Sequence, residues 1–218
     1  MNVRIAIDGP AGAGKTTIAR EVARRLGLRY VDTGAMYRAV AWKSLQEGIP
    51  LYDEAAIAEM AGKMNIDFRP GDGRIFVDGM DVSEAIRTPE VTRLSSPVSA
   101  ISGVRRVLVA QQKKLAGDGV VMEGRDIGSV VLPNAESKVF LTASVDERAN
   151  RRYLEMKAAG MQVDIEALKK DIEERDIRDS TRSDSPLTQV PDAVVIDTDD
   201  LTVEEVIEKV IGQVMRKE

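Results

Sequence analysis

Short apolar runs alternate along this chain with stretches whose apolar positions recur at helical spacing, which predicts strands followed by helices. Residues 3–8 form a compact β-branched run. It leads through a glycine-rich turn into a helix over 15–26, where Ile18, Val22 and Leu26 share the face turned to a sheet. A second short strand is predicted at 30–32, then a helix over 34–46 that directs Met36, Val40 and Leu45 inward. Later runs at 120–122, 138–141 and 193–196 are bounded by turn or charged residues and suit parallel strands buried on both faces. Ser144 with Glu147, and Thr202 with Glu205, have capping-box spacing and announce helices after two of those strands. The pattern is α/β: a doubly wound sheet of about five parallel strands.

Segment 51–88 breaks this rhythm. Residues 65–69 and 74–77 alternate around Gly71-Asp72-Gly73, as in a small antiparallel hairpin. Thr88-Pro89-Glu90 then restarts a helix, with threonine as N-cap and proline at the first helical position. The segment reads as an insert in a single domain spanning 1–218, with no internal repeat. Gly117-Asp118-Gly119 reads as a turn between a helix and the next strand.

Composition narrows the chemistry. A net charge of −5 argues against coating nucleic acid, so any phosphate chemistry needs a local cationic cluster. Cysteine and histidine are both absent, which removes disulfides, thiolate catalysis, zinc–cysteine sites and the usual neutral-pH base. No apolar stretch approaches the twenty residues of a membrane span, and the first run is too brief for a signal peptide, so a cytoplasmic address is expected. No apolar stripe is left over once the helices dock on the sheet, and a monomer is expected.

The turn after the first strand reads Gly9-Pro10-Ala11-Gly12-Ala13-Gly14-Lys15-Thr16, a complete phosphate-binding loop in its proper strand–loop–helix setting. Its glycines let backbone N–H groups curl around phosphate oxygens, Lys15 supplies a positive charge, and the Thr16 hydroxyl can ligate Mg²⁺. ATP is the expected co-substrate, and no Asn-Lys-x-Asp motif follows to read guanine.

The arginines suggest phosphoryl transfer. On one continuous helix, Arg175, Arg178 and Arg182 would share a face, and Arg148 and Arg152 would form a second cationic pair. A solvated face laced by Glu174–Arg178 and Arg175–Asp179 pairs is the blander alternative. Beside a phosphate loop, such a cluster suits the spreading charge of a transferred phosphoryl group. A phosphomonoester with a second pKa near ~6 is already a nucleophile at neutral pH, so a phosphate acceptor needs no base. A hydroxyl acceptor with an aspartate base, as in shikimate kinases, and an ATP-gated binding module remain as alternatives.

Four segments together resemble bacterial cytidylate kinases, within the nucleoside monophosphate kinase family. They are Ile7 to Lys15, Asp32-Thr33-Gly34-Ala35-Met36-Tyr37-Arg38, Glu123-Gly124-Arg125-Asp126-Ile127-Gly128, and Glu174 to Arg182 with Ser185-Pro186-Leu187. The resemblance implies a P-loop kinase core with an acceptor-binding insert at about 51–88 and a helical lid at about 148–164, turning at Ala158-Ala159-Gly160. It implies transfer of the ATP γ-phosphoryl group to CMP or dCMP, with Mg²⁺, in pyrimidine nucleotide metabolism. ATP would be held by Gly9, Pro10, Ala11, Gly12, Ala13, Gly14, Lys15, Thr16 and Thr17, with Arg152 from the lid and Thr16 on the metal.

For the acceptor, the resemblance implies Asp126 and Arg105 at the cytosine edge with Thr33 assisting, and Ser96, Arg175 and Asp179 near the sugar. Arg38, Arg125 and Arg182 would hold the acceptor or transferred phosphate, and Lys15, Arg125, Arg178 and Arg182 would act in catalysis. Each has a plainer role when taken alone. Thr33 can cap a helix, Asp126 can be a strand-end carboxylate or a water-mediated Mg²⁺ ligand, Ser96 can be a turn residue before Pro97, and Arg105 can be a surface arginine. Thr16-Thr17 and Thr33 depart from residues common in relatives but keep a hydroxyl.

Overall fold

A computed structural model describes residues 2–69, 73–117 and 119–215. In chain order the strands are β1 (Arg4–Asp8), β2 (Arg29–Asp32), β3 (Ile66–Phe68), β4 (Ile75–Val77), β5 (Met80–Asp81), β6 (Val120–Gly124), β7 (Ser137–Thr142) and β8 (Val194–Asp197). The helices are α1 (Lys15–Leu26), α2 (Thr33–Gln46), α3 (Glu54–Lys63), α4 (Pro89–Ala100), α5 (Ser102–Leu115), α6 (Val145–Ala158), α7 (Ile165–Thr181) and α8 (Val203–Met215).

The five apolar runs pair in parallel in the order β2-β6-β1-β7-β8. Alternate residues of β1 enter opposite apolar layers. Ile5 and Ile7 join Ile18, Val22, Leu141 and Val210 on the α1–α8 side, whereas Ala6 joins Met36, Val40, Met122 and Leu108 on the other. Burial on both faces is why the central strands β6, β1 and β7 are apolar over most of their length. The strand order reverses around β1, and in such sheets ligands bind at the carboxyl ends of the strands near the switch point. No described helix is long and apolar enough to cross a membrane.

In segment 51–88 the alternating runs form the antiparallel pair β3–β4, with Ile66 opposite Val77 and Phe68 opposite Ile75. Residues 71 and 72 of the expected turn lie outside the described residues, as does Asp118 of the turn expected at 117–119. Among the elements not foreseen here are a helix, a two-residue strand and a 3-10 turn at Ala85–Arg87. Helix α3 buries only Ile57, Met60 and Ala61, too weak a periodic signal, and β5 is only two residues long.

The capping expectations divide. Thr202 and Glu205 bond reciprocally at 2.8 and 3.3 Å, a complete capping box. Ser144 caps α6 through the Glu147 N–H, but the Glu147 carboxylate turns to Arg151, and Asp199 takes the Ser144 N–H instead. The helix expected from residue 34 begins at Thr33, and its cap is Asp32, which accepts from the Ala35 N–H at 2.9 Å. The capping role open to Thr33 is thereby filled by its neighbour.

Candidate active site

The phosphate loop leaves β1 and enters α1 with Gly14 as N-cap, in a left-handed conformation that favours glycine. Gly9 is required for a different reason. A Cβ there would lie 2.0 Å from the Leu141 carbonyl oxygen, so only glycine lets the loop leave β1 so close to β7. Lys15 is buried and donates to the Pro10 carbonyl at 2.6 Å, which folds its ammonium back over the loop. Thr16 and Thr17 open the first turn of α1.

Three buried carboxylates end neighbouring strands beside this loop: Asp8 on β1, Asp32 on β2 and Glu123 on β6. Asp8 accepts from the N–H groups of Ile127 and Gly128 at 2.9 and 2.7 Å, tying the loop strand to the Gly-Arg-Asp segment. Burial pushes its carboxyl up to about 6 against those bonds. Glu123 accepts from the Tyr30 hydroxyl, and its carbonyl accepts from Thr33 Oγ1 at 2.8 Å. A Cβ at Gly124 would lie 2.6 Å from that threonine oxygen, so glycine there permits the approach. Burial first, then the Asp32 charge, push the Glu123 carboxyl up to about 7, while Lys15 and the Thr16 hydroxyl pull it down. Burial, then Glu123, push the Tyr30 phenol far above its ordinary range, so it stays a donor.

The arginines converge on carboxylates around the same cleft. Arg38 binds Asp32 at 2.7 Å, and Arg125 binds Asp179 at 2.9 Å. Arg175 lies 3.9 Å and Arg182 3.6 Å from Asp179, so three guanidinium groups share one carboxylate. The Nε atoms of Arg38 and Arg175 are buried without a hydrogen-bond partner. Burial, then Arg125, lower the Arg175 guanidinium to about 10.

Two expectations for this cluster are corrected. Helix α7 ends at Thr181, so Arg182 does not share its face with Arg175 and Arg178. Arg182 is extended, and its guanidinium binds the Ser185 carbonyl at 2.7 and 2.9 Å, an oxygen presented by a residue with φ of 50°. Arg148 does not pair with Arg152 as a second phosphate clamp. It is 4% exposed and donates to the carbonyls of Ala11 and Ala143 and to Asp176, bracing the phosphate loop from behind. Arg152 is exposed on α6, within electrostatic reach of Arg175. The turn between α6 and α7 contains Gly160 at φ 75°.

Arg105 and Asp126 meet at 2.6 Å with side chains 2% and 4% exposed, so Arg105 is not a surface arginine. The Tyr37 ring lies 5.3 Å from its guanidinium, and Arg182 approaches the other Asp126 oxygen at 3.9 Å. Ser96 lies inside α4, not in a turn before Pro97, and accepts from Arg178 at 2.5 Å. Apart from Arg152, the predicted residues thus gather around the carboxyl ends of the parallel strands. Asp8, Asp32 and Glu123 received no role from sequence, although carboxylates ending parallel strands beside a phosphate loop are a usable signal.

Lys15 carries the electrostatic signature of the cleft. Burial first, then the charge of Arg125, lower it to about 7, with Arg175 adding to the depression and Glu123 opposing it. A triphosphate on the loop favours the ammonium and raises this pKa. Binding therefore takes up a proton where the free lysine is neutral, and affinity falls as pH climbs above about 7. Calorimetry of ATP binding at about pH 8 in buffers of different ionisation enthalpy should report uptake approaching about one proton. Lys15→Met should abolish it, and equal heats in all buffers for the unmodified protein would contradict the assignment.

The chain matches the family model described as cytidylate kinase over residues 5–216. It is 54% identical over 209 residues to a cytidylate kinase of Desulforamulus reducens, covering 95% of this chain and 94% of that one. It is 53% identical over 213 residues to a bifunctional pantoate ligase/cytidylate kinase of a Synechococcus strain, covering 95% of this chain but 39% of that longer protein. In fold it is similar to an uncharacterized protein from Eubacterium ventriosum, with a TM-score of 0.55 at 12% identity over 98% of both chains.

Proposed function

This chain belongs to the cytidylate kinase family and so is an ATP-dependent kinase of CMP or dCMP, and we propose that the reaction runs in the arginine-walled cleft at the carboxyl ends of its parallel strands. The loop 9–16, with Thr17, holds the ATP phosphates through backbone N–H groups, Lys15 holds the β/γ oxygens, and Arg152 approaches from the α6–α7 hairpin. The acceptor phosphate lies among Arg38, Arg125 and Arg182, whose carboxylate partners hold them in place before phosphate arrives.

An oxygen of the CMP phosphate forms the new bond to the γ-phosphorus, and the β–γ bridging oxygen leaves with the electron pair as ADP. The nucleophile is a phosphate dianion, so no side chain needs to remove a proton. Lys15, Arg125, Arg178 and Arg182 neutralise charge spreading over the transferred group. Cytosine sits against Arg105 and Asp126: the carboxylate accepts from the amino group and the guanidinium serves the ring acceptors, with Thr33 alongside. Arg175, Asp179 and Ser96 line the sugar. Closure of a lid at about 148–164 over the phosphates excludes water.

The donor set fits Mg²⁺. The Thr16 hydroxyl lies beside the Glu123 carboxyl, and no group of three or more Asp or Glu residues forms a metal cage among the described residues. That suits an ion held mainly by phosphate oxygens and water with one or two protein ligands. When bound, Mg²⁺ would neutralise the β- and γ-oxygens. The same reading makes the protein a cytoplasmic monomer acting on small nucleotides and not on nucleic acid, consistent with its net charge of −5.

The observation that carries this reading is the convergence of Arg125, Arg175 and Arg182 on Asp179, in the same cleft as the buried loop lysine, Lys15. A coupled ADP-release assay with CMP, dCMP, UMP, AMP and GMP tests it. CMP and dCMP should give the highest kcat/KM. Background rates with both cytosine nucleotides would end the proposal.

A further inference from the structure

We propose that Tyr30 is a positioning residue for the nucleotide site: its phenol pins one oxygen of the Glu123 carboxylate, which stands opposite Ile7 where β1 runs into the phosphate loop. The inference rests on the reading above, in which the phosphate loop holds ATP. Strand geometry explains the contact. Tyr30 lies opposite Val121 in the parallel pairing of β2 with β6, so Glu123, two residues further along, shares its face and stands diagonally across. The phenol reaches Glu123 Oε1 at 2.5 Å, and both side chains are buried.

The ring is buried and flanked on two sides. The Arg20 guanidinium stands 5.7 Å from its centroid on the α1 side. Gly73 of segment 51–88 packs so closely that a Cβ there would lie 2.7 Å from a ring carbon. A rigid donor matters because Glu123 has a flexible side chain and a cation beside it. A carboxylate free to rotate would settle on the Lys15 ammonium and occupy the charge that the triphosphate needs. Tyr30 holds it off that lysine and in a single orientation.

Tyr30→Phe removes the donor and keeps the ring under Gly73 and Arg20. The measurement is calorimetric affinity for ADP with Mg²⁺ and with EDTA, beside thermal melting. The expected result is a loss of about 10- to 150-fold in the Mg²⁺-dependent gain in affinity, the effect of one hydrogen bond to a charged group, with EDTA affinity and melting little changed. In a Glu123→Gln background the same substitution should have no further effect, because Tyr30 acts through that carboxylate.

Equal losses with and without Mg²⁺, or a lower melting temperature alone, would reduce Tyr30 to a packing residue and overturn the proposal. An additional loss in the Glu123→Gln background would overturn it too. A wild-type protein that fails to bind ADP under either condition would sink the parent reading and this one with it, a pattern distinct from failure of the variant alone.

Discussion

Replacing Lys15 by alanine is expected to lower kcat by about 10²- to 10³-fold, the loss typical of one preorganised charge at a developing anion. The ammonium is buried over the phosphate loop and fixed by the Pro10 carbonyl, so it costs no reorganisation as charge spreads over the γ-phosphoryl group. Stability should move the other way or not at all. Burial and two nearby arginines already depress this lysine to about 7, so the free protein gains little from its charge. Single-turnover kinetics and thermal melting on the same preparation separate these effects. A variant that loses activity only in proportion to lost folded protein would remove Lys15 from the chemistry.

The second large effect is expected at Asp126. Its carboxylate is the buried partner of Arg105 and faces Arg182 as well. Asp126→Ala leaves a guanidinium buried without compensation, which should destabilise the fold by about 3–5 kcal/mol. Asp126→Asn keeps the shape and removes the charge, and it separates recognition from stability. An amide can turn its carbonyl to the cytosine amino group or its NH₂ to the uracil carbonyl, so the variant should lose most of its preference between them. A bidentate base contact is worth roughly 1–3 kcal/mol of discrimination, so the CMP-to-UMP ratio should fall about 5- to 150-fold with ATP affinity nearly unchanged. If ATP affinity falls instead, Asp126 serves the metal.

Much of this was legible in the sequence because the relevant constraints are local. The loop glycines, the strand before them and the amphipathic helix after them fit one geometry, and the five apolar runs became the five parallel strands. What escaped depends on tertiary packing. Spacing placed Arg182 on the face of Arg175 and Arg178, but spacing holds only while the helix lasts, and α7 stops one residue short. Arg148 looked like a phosphate clamp on charge alone. Only the docking of α6 behind the loop turns it toward the Ala11 carbonyl and Asp176. The contact between Arg178 and Ser96 spans 82 residues, beyond any periodicity. Glu123 lies in the Glu-Gly-Arg-Asp segment, yet its role escapes the sequence because its partners, Tyr30 and Thr16, come from other elements.

The most direct test of the central claim, that a cytosine nucleotide is read by the Arg105–Asp126 pair while its phosphate faces the loop lysine, is the kcat/KM ratio for CMP over UMP in the wild type and Asp126→Asn side by side. The account predicts a strong cytosine preference in the first that largely collapses in the second, with KM for ATP unmoved. An equal ratio in both proteins, or a preference for another base in the wild type, would contradict it.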